Sequence, residues 1–156
     1  VKTHTTYTVE EAKKRLERYC AYQERCHKEV EKKLKELRMI PEARAHIINH
    51  LLQENYLNET RFAQAFARGK FKNKYWGKNR IIQELKFRDI SPYNITIALK
   101  EIPEESYRAT FEKLVEKRLA QLHTEKNIQR KKKKLADYLL YRGWESHWVW
   151  ERVREL

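Results

Sequence analysis

Three glycines and three prolines are all that interrupt 156 residues, and that scarcity constrains the fold more than any other feature. Soluble proteins usually carry about 7% glycine and about 5% proline. Tight turns between strands need those residues for left-handed or pre-set backbone angles, so the count argues against a sandwich or a barrel and excludes collagen-like and linker-type chains. Apolar residues recur instead at helical spacing along nearly the whole chain. An all-α fold is therefore expected. Thr8 and Glu11 resemble a capping box ahead of a helix carrying Ala12, Leu16 and Tyr19. A second helix, from about Cys26 to Arg38, places Val30, Leu34 and Leu37 on one face. Pro41 suits the first turn of a third, Asn58 caps a fourth holding Phe62, Ala63, Phe66 and Ala67, and Ser91-Pro92 and Pro103 open two more. A basic, aromatic loop over residues 70–80 is expected before the helix of Ile81, Ile82 and Leu85, and Gly143 separates the last two helices.

The chain also repeats. Ile95, Leu99 and Ile102 lie five, nine and twelve residues after Ile90, and Val149, Val153 and Leu156 stand at the same offsets after Trp144. Backward, Ile81 and Leu85 lie nine and five before Ile90, as Leu135 and Leu139 do before Trp144. The first segment follows loosely, with Val30 and Leu34 ten and six before Ile40, so its unit reads as one residue longer. The centres Ile40, Ile90 and Trp144 are 50 and 54 residues apart. This predicts three tandem three-helix repeats, over 8–56, 57–102 and 103–156, stacked into an elongated, curved array. Each unit is too small to stand alone.

Charge narrows the class of partner. Lys and Arg number 35 against 22 acids, a net +13, which draws polyanions and favours nucleic acid or an acidic protein surface. No apolar run approaches the 18 or so residues of a membrane span, so no membrane segment is expected. Val1 to Thr8 lacks the apolar stretch of a secretion signal and, without an initiating Met, reads as a trimmed start. Two cysteines form no disulfide framework, which fits reduced thiols and a cytoplasmic location.

Catalytic patterns are weak. His46 and His50, four apart, could share a metal on one helix face, but no third ligand accompanies them and they read as surface histidines. Cys20, Cys26 and His27 offer zinc-like atoms without a second ligand pair. Cys20 reads as core and Cys26 as a helix start. Neither a G-x-G-x-x-G nor a Walker sequence is present. No enzyme, cofactor or metal is expected. The basic clusters say more. Residues 70–80 hold five cations and three aromatics; an exposed ring there could stack on a base, whereas the reading preferred here has Phe71 and Trp76 plugging the core with the cations outside. Arg130 to Lys134 opens a helix in the third unit, where cations oppose the macrodipole, a placement that favours an anionic partner.

The stretch Leu57-Asn58-Glu59-Thr60-Arg61-Phe62-Ala63-Gln64-Ala65-Phe66, followed by Lys70-Phe71, Trp76-Gly77, Ile81 and Glu84-Leu85, resembles the central signature of the RecX regulatory proteins. Glu24-Arg25-Cys26-His27-Lys28-Glu29-Val30, then Lys33-Leu34, resembles the same family's first repeat. The resemblance runs from about Thr8 to Leu156 and is densest in the middle third. Such proteins usually carry Gly between the second and third helices of each repeat; here Met39 and Asp89 occupy about those positions and Gly143 alone conforms. The resemblance implies a monomeric modulator of the RecA recombinase that lies along the RecA filament on single-stranded DNA. It would block ATP hydrolysis, strand exchange or filament growth. Arg61, Arg68, Lys70, Lys72, Lys74, Lys78 and Arg80, with Arg130, Lys131, Lys132, Lys133 and Lys134, are the candidate contacts to acidic filament surface or DNA phosphate. Weak, unspecific binding to single- or double-stranded DNA is compatible with it. The alternative is a basic helical DNA-binding protein, such as a helix-turn-helix regulator, acting directly on nucleic acid with a steep salt dependence. A helical adaptor for another acidic protein is a third class.

Overall fold

Polar side chains of the chain itself cap four of its helices. The computed structural model describes residues 5–156, so the secretion-signal reading of Val1 to Thr8 falls in part, at Val1 to His4, outside the described residues. The helices are α1 (Val9–Tyr22), α2 (His27–Glu36), α3 (Pro41–Gln53), α4 (Glu59–Lys74), α5 (Lys78–Phe87), α6 (Pro92–Leu99), α7 (Glu104–Gln121), α8 (Ile128–Tyr141) and α9 (Ser146–Arg154). No strand occurs among the described residues, and no helix is long and apolar enough to cross a membrane. Thr8 and Glu11 exchange both hydrogen bonds of a capping box. Asn58, Ser91 and Asn127 accept from the first-turn N–H groups of α4, α6 and α8. Each such cap stabilises its helix by about 1 kcal/mol.

The helices form a repeated array of trios. Those of α1–α3 close around Ala12, Leu16, Val30, Leu34, Ile47 and Leu51. A second core runs without a break through α4–α9 and takes in Cys26 from the start of α2. Its centre is aromatic: Tyr107 stacks on Trp144 with ring centroids 4.4 Å apart, and Phe111 and Trp148 close around them.

Three identical helix ends set the repeat. α2, α5 and α8 each finish in a left-handed residue, Arg38 (φ 61°), Asp89 (φ 59°) and Gly143 (φ 89°). The next residue then donates to a carbonyl five back: Met39 to Leu34, Ile90 to Leu85 and Trp144 to Leu139. This is the Schellman arrangement, which satisfies carbonyls left open at a helix end. It moves the first centre from Ile40 to Met39. Val30 and Leu34 then stand nine and five before it, as in the other two units, and the extra residue disappears. Met39 is 8% exposed, whereas Ile40 is 63% exposed and caps α3. The position where glycine is usual is therefore Arg38, not Met39.

A second correction concerns residues 70–80. α4 continues through Lys74 and stops only at left-handed Tyr75, so three residues, Tyr75 to Gly77, form the whole connection to α5. The expected basic loop is mostly helix, and its cations hang from helical backbone.

Successive trios meet turn against turn. The Gly77 N–H donates to the Arg142 carbonyl at 2.7 Å, and the Asn79 N–H to the Gly143 carbonyl at 2.9 Å. A Cβ on Gly77 would lie 2.5 Å from the Gly143 carbonyl, and one on Gly143 would lie 2.3 Å from the Arg80 nitrogen. At the junction of the first two trios, Cys26 and Asp89 hold the places of Gly77 and Gly143. Side chains do the bridging there. The Lys28 ammonium donates to the Phe87 carbonyl at 2.8 Å and lies 3.5 Å from the Asp89 carboxylate, and the His27 N–H donates to Glu59.

Gly143→Ala is expected to cost about 2–4 kcal/mol, combining a left-handed residue with overpacking. Gly69→Ala, inside α4 with open space around its Cα, is expected to gain about 0.5–1 kcal/mol. Urea unfolding of the two variants checks both signs, and equal effects would remove the backbone contact as the determinant of this junction.

Candidate functional site

Helix α4 and the start of α5 carry seven of the nominated cations, Arg61, Arg68, Lys70, Lys72, Lys74, Lys78 and Arg80, and the fold sets several of them over aromatic rings. The Arg88 guanidinium lies 4.8 Å from the Phe66 ring centre. The Lys70 ammonium lies 5.5 Å from Phe66 and 5.2 Å from Trp76. Arg80 lies 4.3 Å from Trp76 and 4.7 Å from Tyr141, and donates to the Tyr141 carbonyl at 3.2 Å. Cation and ring thus alternate from Arg88 to Tyr141, across the whole second trio and onto the third. Contacts of this kind are worth about 0.5–1 kcal/mol each at exposed sites. They hold long side chains in register while leaving the charges of Lys70 and Arg80 at the surface; Arg88 also pairs with Glu84 at 2.8 Å. Trp76 is half-buried, packed against the second core and edge-on against Phe66, with Lys70 and Arg80 over its ring. It packs on the core with cations outside, as the sequence reading preferred, but is only partly covered. Phe71 is half-buried against Tyr107.

The other nominated cations divide by environment. Lys78 lies 4.5 Å from the Tyr107 ring. Lys72 and Lys74 are exposed on the last turn of α4 and make no ion pair among the described residues. Arg61 is structural in its contacts: it bonds the Glu24 carboxylate at 2.6 Å and the carbonyls of Asn55 and Tyr56, tying α4 to the first trio. Arg68 pairs with Glu101 at 3.3 Å. In α8, Lys133 pairs with Asp137 and Lys134 with Glu125, while Arg130 is exposed and Lys131 and Lys132 are half-buried. The α8 cluster lies at the start of that helix and Tyr141 at its end. Nine residues of helical rise, about 14 Å, separate Lys132 from Tyr141, so the two basic clusters do not merge through α8.

Sequence reasoning passed over Lys28, Phe87, Arg88 and Tyr141. Phe87 and Tyr141 each stand three residues before a unit centre, Ile90 or Trp144. The signal was present, because aromatic residues at equal offsets in two units ask for an explanation once the register is known.

The weaker candidates have ordinary surroundings. His50 bonds the Glu17 carboxylate at 2.9 Å across α1 and α3, and His46 is exposed. Among the described residues no three His, Cys, Asp or Glu side chains converge on a metal-sized site. Cys20 and Cys26 are buried, and burial pushes both thiols up to about 11 from about 9. Burial, then the Glu145 carboxylate, likewise holds the Tyr107 phenol protonated well above its usual range. That hydroxyl donates to Glu145 and accepts from the Lys78 N–H.

The thiol shifts have a definite sign. Above the ordinary thiol pKa the unfolded chain releases protons that the folded chain keeps, so stability falls as pH rises between about 9 and 11. Urea unfolding across that window is expected to fall less steeply in the Cys20→Ala, Cys26→Ala double variant. Parallel curves would show that the thiols carry none of the slope.

Known proteins resemble this chain in sequence and fold. The model of the second three-helix domain of RecX matches residues 58–99. Regulatory protein RecX of Trichlorobacter lovleyi is 30% identical over 118 residues, covering 74% of this chain and 75% of that protein. Regulatory protein RecX of Oceanobacillus iheyensis is 29% identical over 128 residues, covering 82% of this chain and 47% of that protein, so the chain spans about half of that relative's length. A crystal structure of regulatory protein RecX superimposes with a TM-score of 0.81 at 24% identity, over 95% of this chain and 72% of the other, which establishes a common fold. Identity of 30% across three-quarters of a whole relative, with the second three-helix domain matched mid-chain, makes this chain a member of the RecX family of regulatory proteins.

Proposed function

We propose that the chain modulates the RecA recombinase, binding RecA filaments on single-stranded DNA and slowing ATP hydrolysis, strand exchange and filament growth. The observation that carries this reading is the kinship with proteins named regulatory protein RecX; the resemblance to that family brings RecA as the partner. The mechanism is non-catalytic. A basic array of three trios, taken as the units 8–56, 57–102 and 103–156, lies across several protomers of a helical polymer. Weak contacts spread along such an array add through multivalency, and the net +13 charge speeds capture of an acidic surface. The array then hinders the protomer movements that turnover requires.

Among the cations, Lys72 and Lys74 offer charge that no acid offsets among the described residues, whereas Lys133 and Lys134 already face Asp137 and Glu125. A second reading is direct binding to nucleic acid, favoured by the alternating rings and cations between Arg88 and Tyr141.

The test is ATP hydrolysis by the cognate RecA on single-stranded DNA, titrated with this protein at two salt concentrations beside a bare-DNA titration. Inhibition at protein levels well below those that coat naked DNA is the expected result. No inhibition, together with tight, salt-sensitive binding to bare DNA, would overturn the filament reading. In the same assay, Lys72→Glu with Lys74→Glu is expected to raise the half-inhibitory concentration about tenfold, and Lys133→Glu with Lys134→Glu by less than about threefold. The reverse order would place the anchor on α8.

A further inference from the structure

Two aromatic rings that a packed helical protein has every reason to bury stand in the open at matching places. Phe87 is 71% exposed and Tyr141 is 72% exposed. Each is the last residue of the middle helix of its trio, each lies three residues before the unit centre, and the two are 54 residues apart, the same interval as Ile90 to Trp144. Each also has a cation from the preceding trio over its ring. Lys28 lies 4.8 Å from the Phe87 centre and Arg80 lies 4.7 Å from the Tyr141 centre. Both cations come from the first turn of the preceding middle helix, and both donate to the carbonyl of the residue whose ring they cover. The same device is built twice, once at each junction.

We infer that Phe87 and Tyr141 are two stacking stations for the bases of a single nucleic-acid strand, with Lys28 and Arg80 receiving its phosphates. The inference rests on the second reading above, that the chain touches nucleic acid directly. A ring more than two-thirds exposed, with its cation on one face, offers the other face to a flat partner. An acidic side chain would use the cation and leave the ring in water. A nucleotide uses both, the base on the ring and the phosphate on the charge. Charge around the first station agrees. A cleft of about 560 Å³ opens beside Phe87, and Lys28, Lys32, Lys35 and Arg88 line it. Its two acids are already engaged, Glu29 by Arg25 and Glu31 by Arg44; of its cations Lys28 faces Asp89 and Arg88 faces Glu84, which leaves Lys32 and Lys35 with no acid partner among the described residues. Stacked bases inside a duplex cannot reach such rings, so the stations select single strands. Exposure alone does not make a station. Tyr93 is 74% exposed, but the position three after the centre holds His147 in the third trio.

The experiment is fluorescence anisotropy with a labelled oligothymidine and with a duplex of equal length, on the full chain, at several salt concentrations. The wild-type protein is expected to prefer the single strand. Phe87→Ala and Tyr141→Ala are each expected to weaken single-strand binding about tenfold, with no change in the salt slope and little effect on the duplex. Phe87→Tyr and Tyr141→Phe retain affinity, and Tyr93→Ala changes nothing. Lys28→Ala instead lowers the salt slope by about 0.7. Thermal melts of the variants confirm that they are folded, as expected for changes at exposed rings. Binding by the double alanine variant equal to the wild type would overturn the stations while leaving direct nucleic-acid binding in place. Absence of binding to either oligonucleotide would overturn both.

Discussion

Backbone touches backbone at Gly77 and Gly143, and the second half of the molecule is built outward from that contact. α5 begins without a side-chain cap, because Gly77 has none to offer. Its first N–H groups are satisfied by the next trio instead: Lys78 donates to the Tyr107 hydroxyl and Asn79 to the Gly143 carbonyl. The indole of Trp144 returns the favour by donating to the Tyr75 carbonyl at 3.1 Å. The helix start and the helix end thus complete each other across the junction, where each alone would leave unpaired polar backbone. With the two main chains locked, Arg80 is within reach of Tyr141, and the aromatic centre around Trp144 lies directly beneath. One continuous core through six helices is the result.

The surface cations follow from the same packing. A net charge of +13 describes the chain as uniformly basic, yet its arginines and lysines do different work. Arg61 and Arg44 are tied into the structure by carboxylates at 2.6 and 2.7 Å. Arg80 and Lys70 rest on rings that position them without neutralising them, while Arg88 is shared between the Phe66 ring and the Glu84 carboxylate at 2.8 Å. Lys72 and Lys74 are simply exposed. A ring fixes the place of a cation at less cost to its charge than an acid does, which is why the stretch from Lys70 through Arg80 to Tyr141 remains basic.

Much of this was legible in the sequence where local chemistry decides the outcome. The capping pair Thr8 and Glu11, the cap Asn58 and the starts at Ser91-Pro92 and Pro103 lie where their residue types put them. The end of α4 was not legible, because nothing between Gly69 and Tyr75 forbids either helix or loop, and packing against the core settles it. Nor was the choice between Met39 and Ile40. Two adjacent apolar residues suit either register, and the left-handed residue that decides between them is Arg38, an amino acid that gives no such signal. The site was legible as a cluster and illegible in its parts. Whether a cation is spent on an acid or poised on a ring depends on partners far along the chain, as for Arg80 and Tyr141, 61 residues apart.

The two junctions differ in kind, and dissolved electrolyte distinguishes them. Between the first and second trios the polar links that join helices distant in sequence involve a formal charge: Lys28 with Asp89 and the Phe87 carbonyl, the His27 N–H with Glu59, Arg61 with Glu24. Between the second and third, most links are neutral main-chain and indole bonds over a shared aromatic core. Mobile ions screen partly exposed charges over about 8–10 Å at physiological strength and leave neutral buried hydrogen bonds nearly untouched. The same increase in ionic strength that strips a polyanion from the surface therefore also slackens one joint of the array and spares the other.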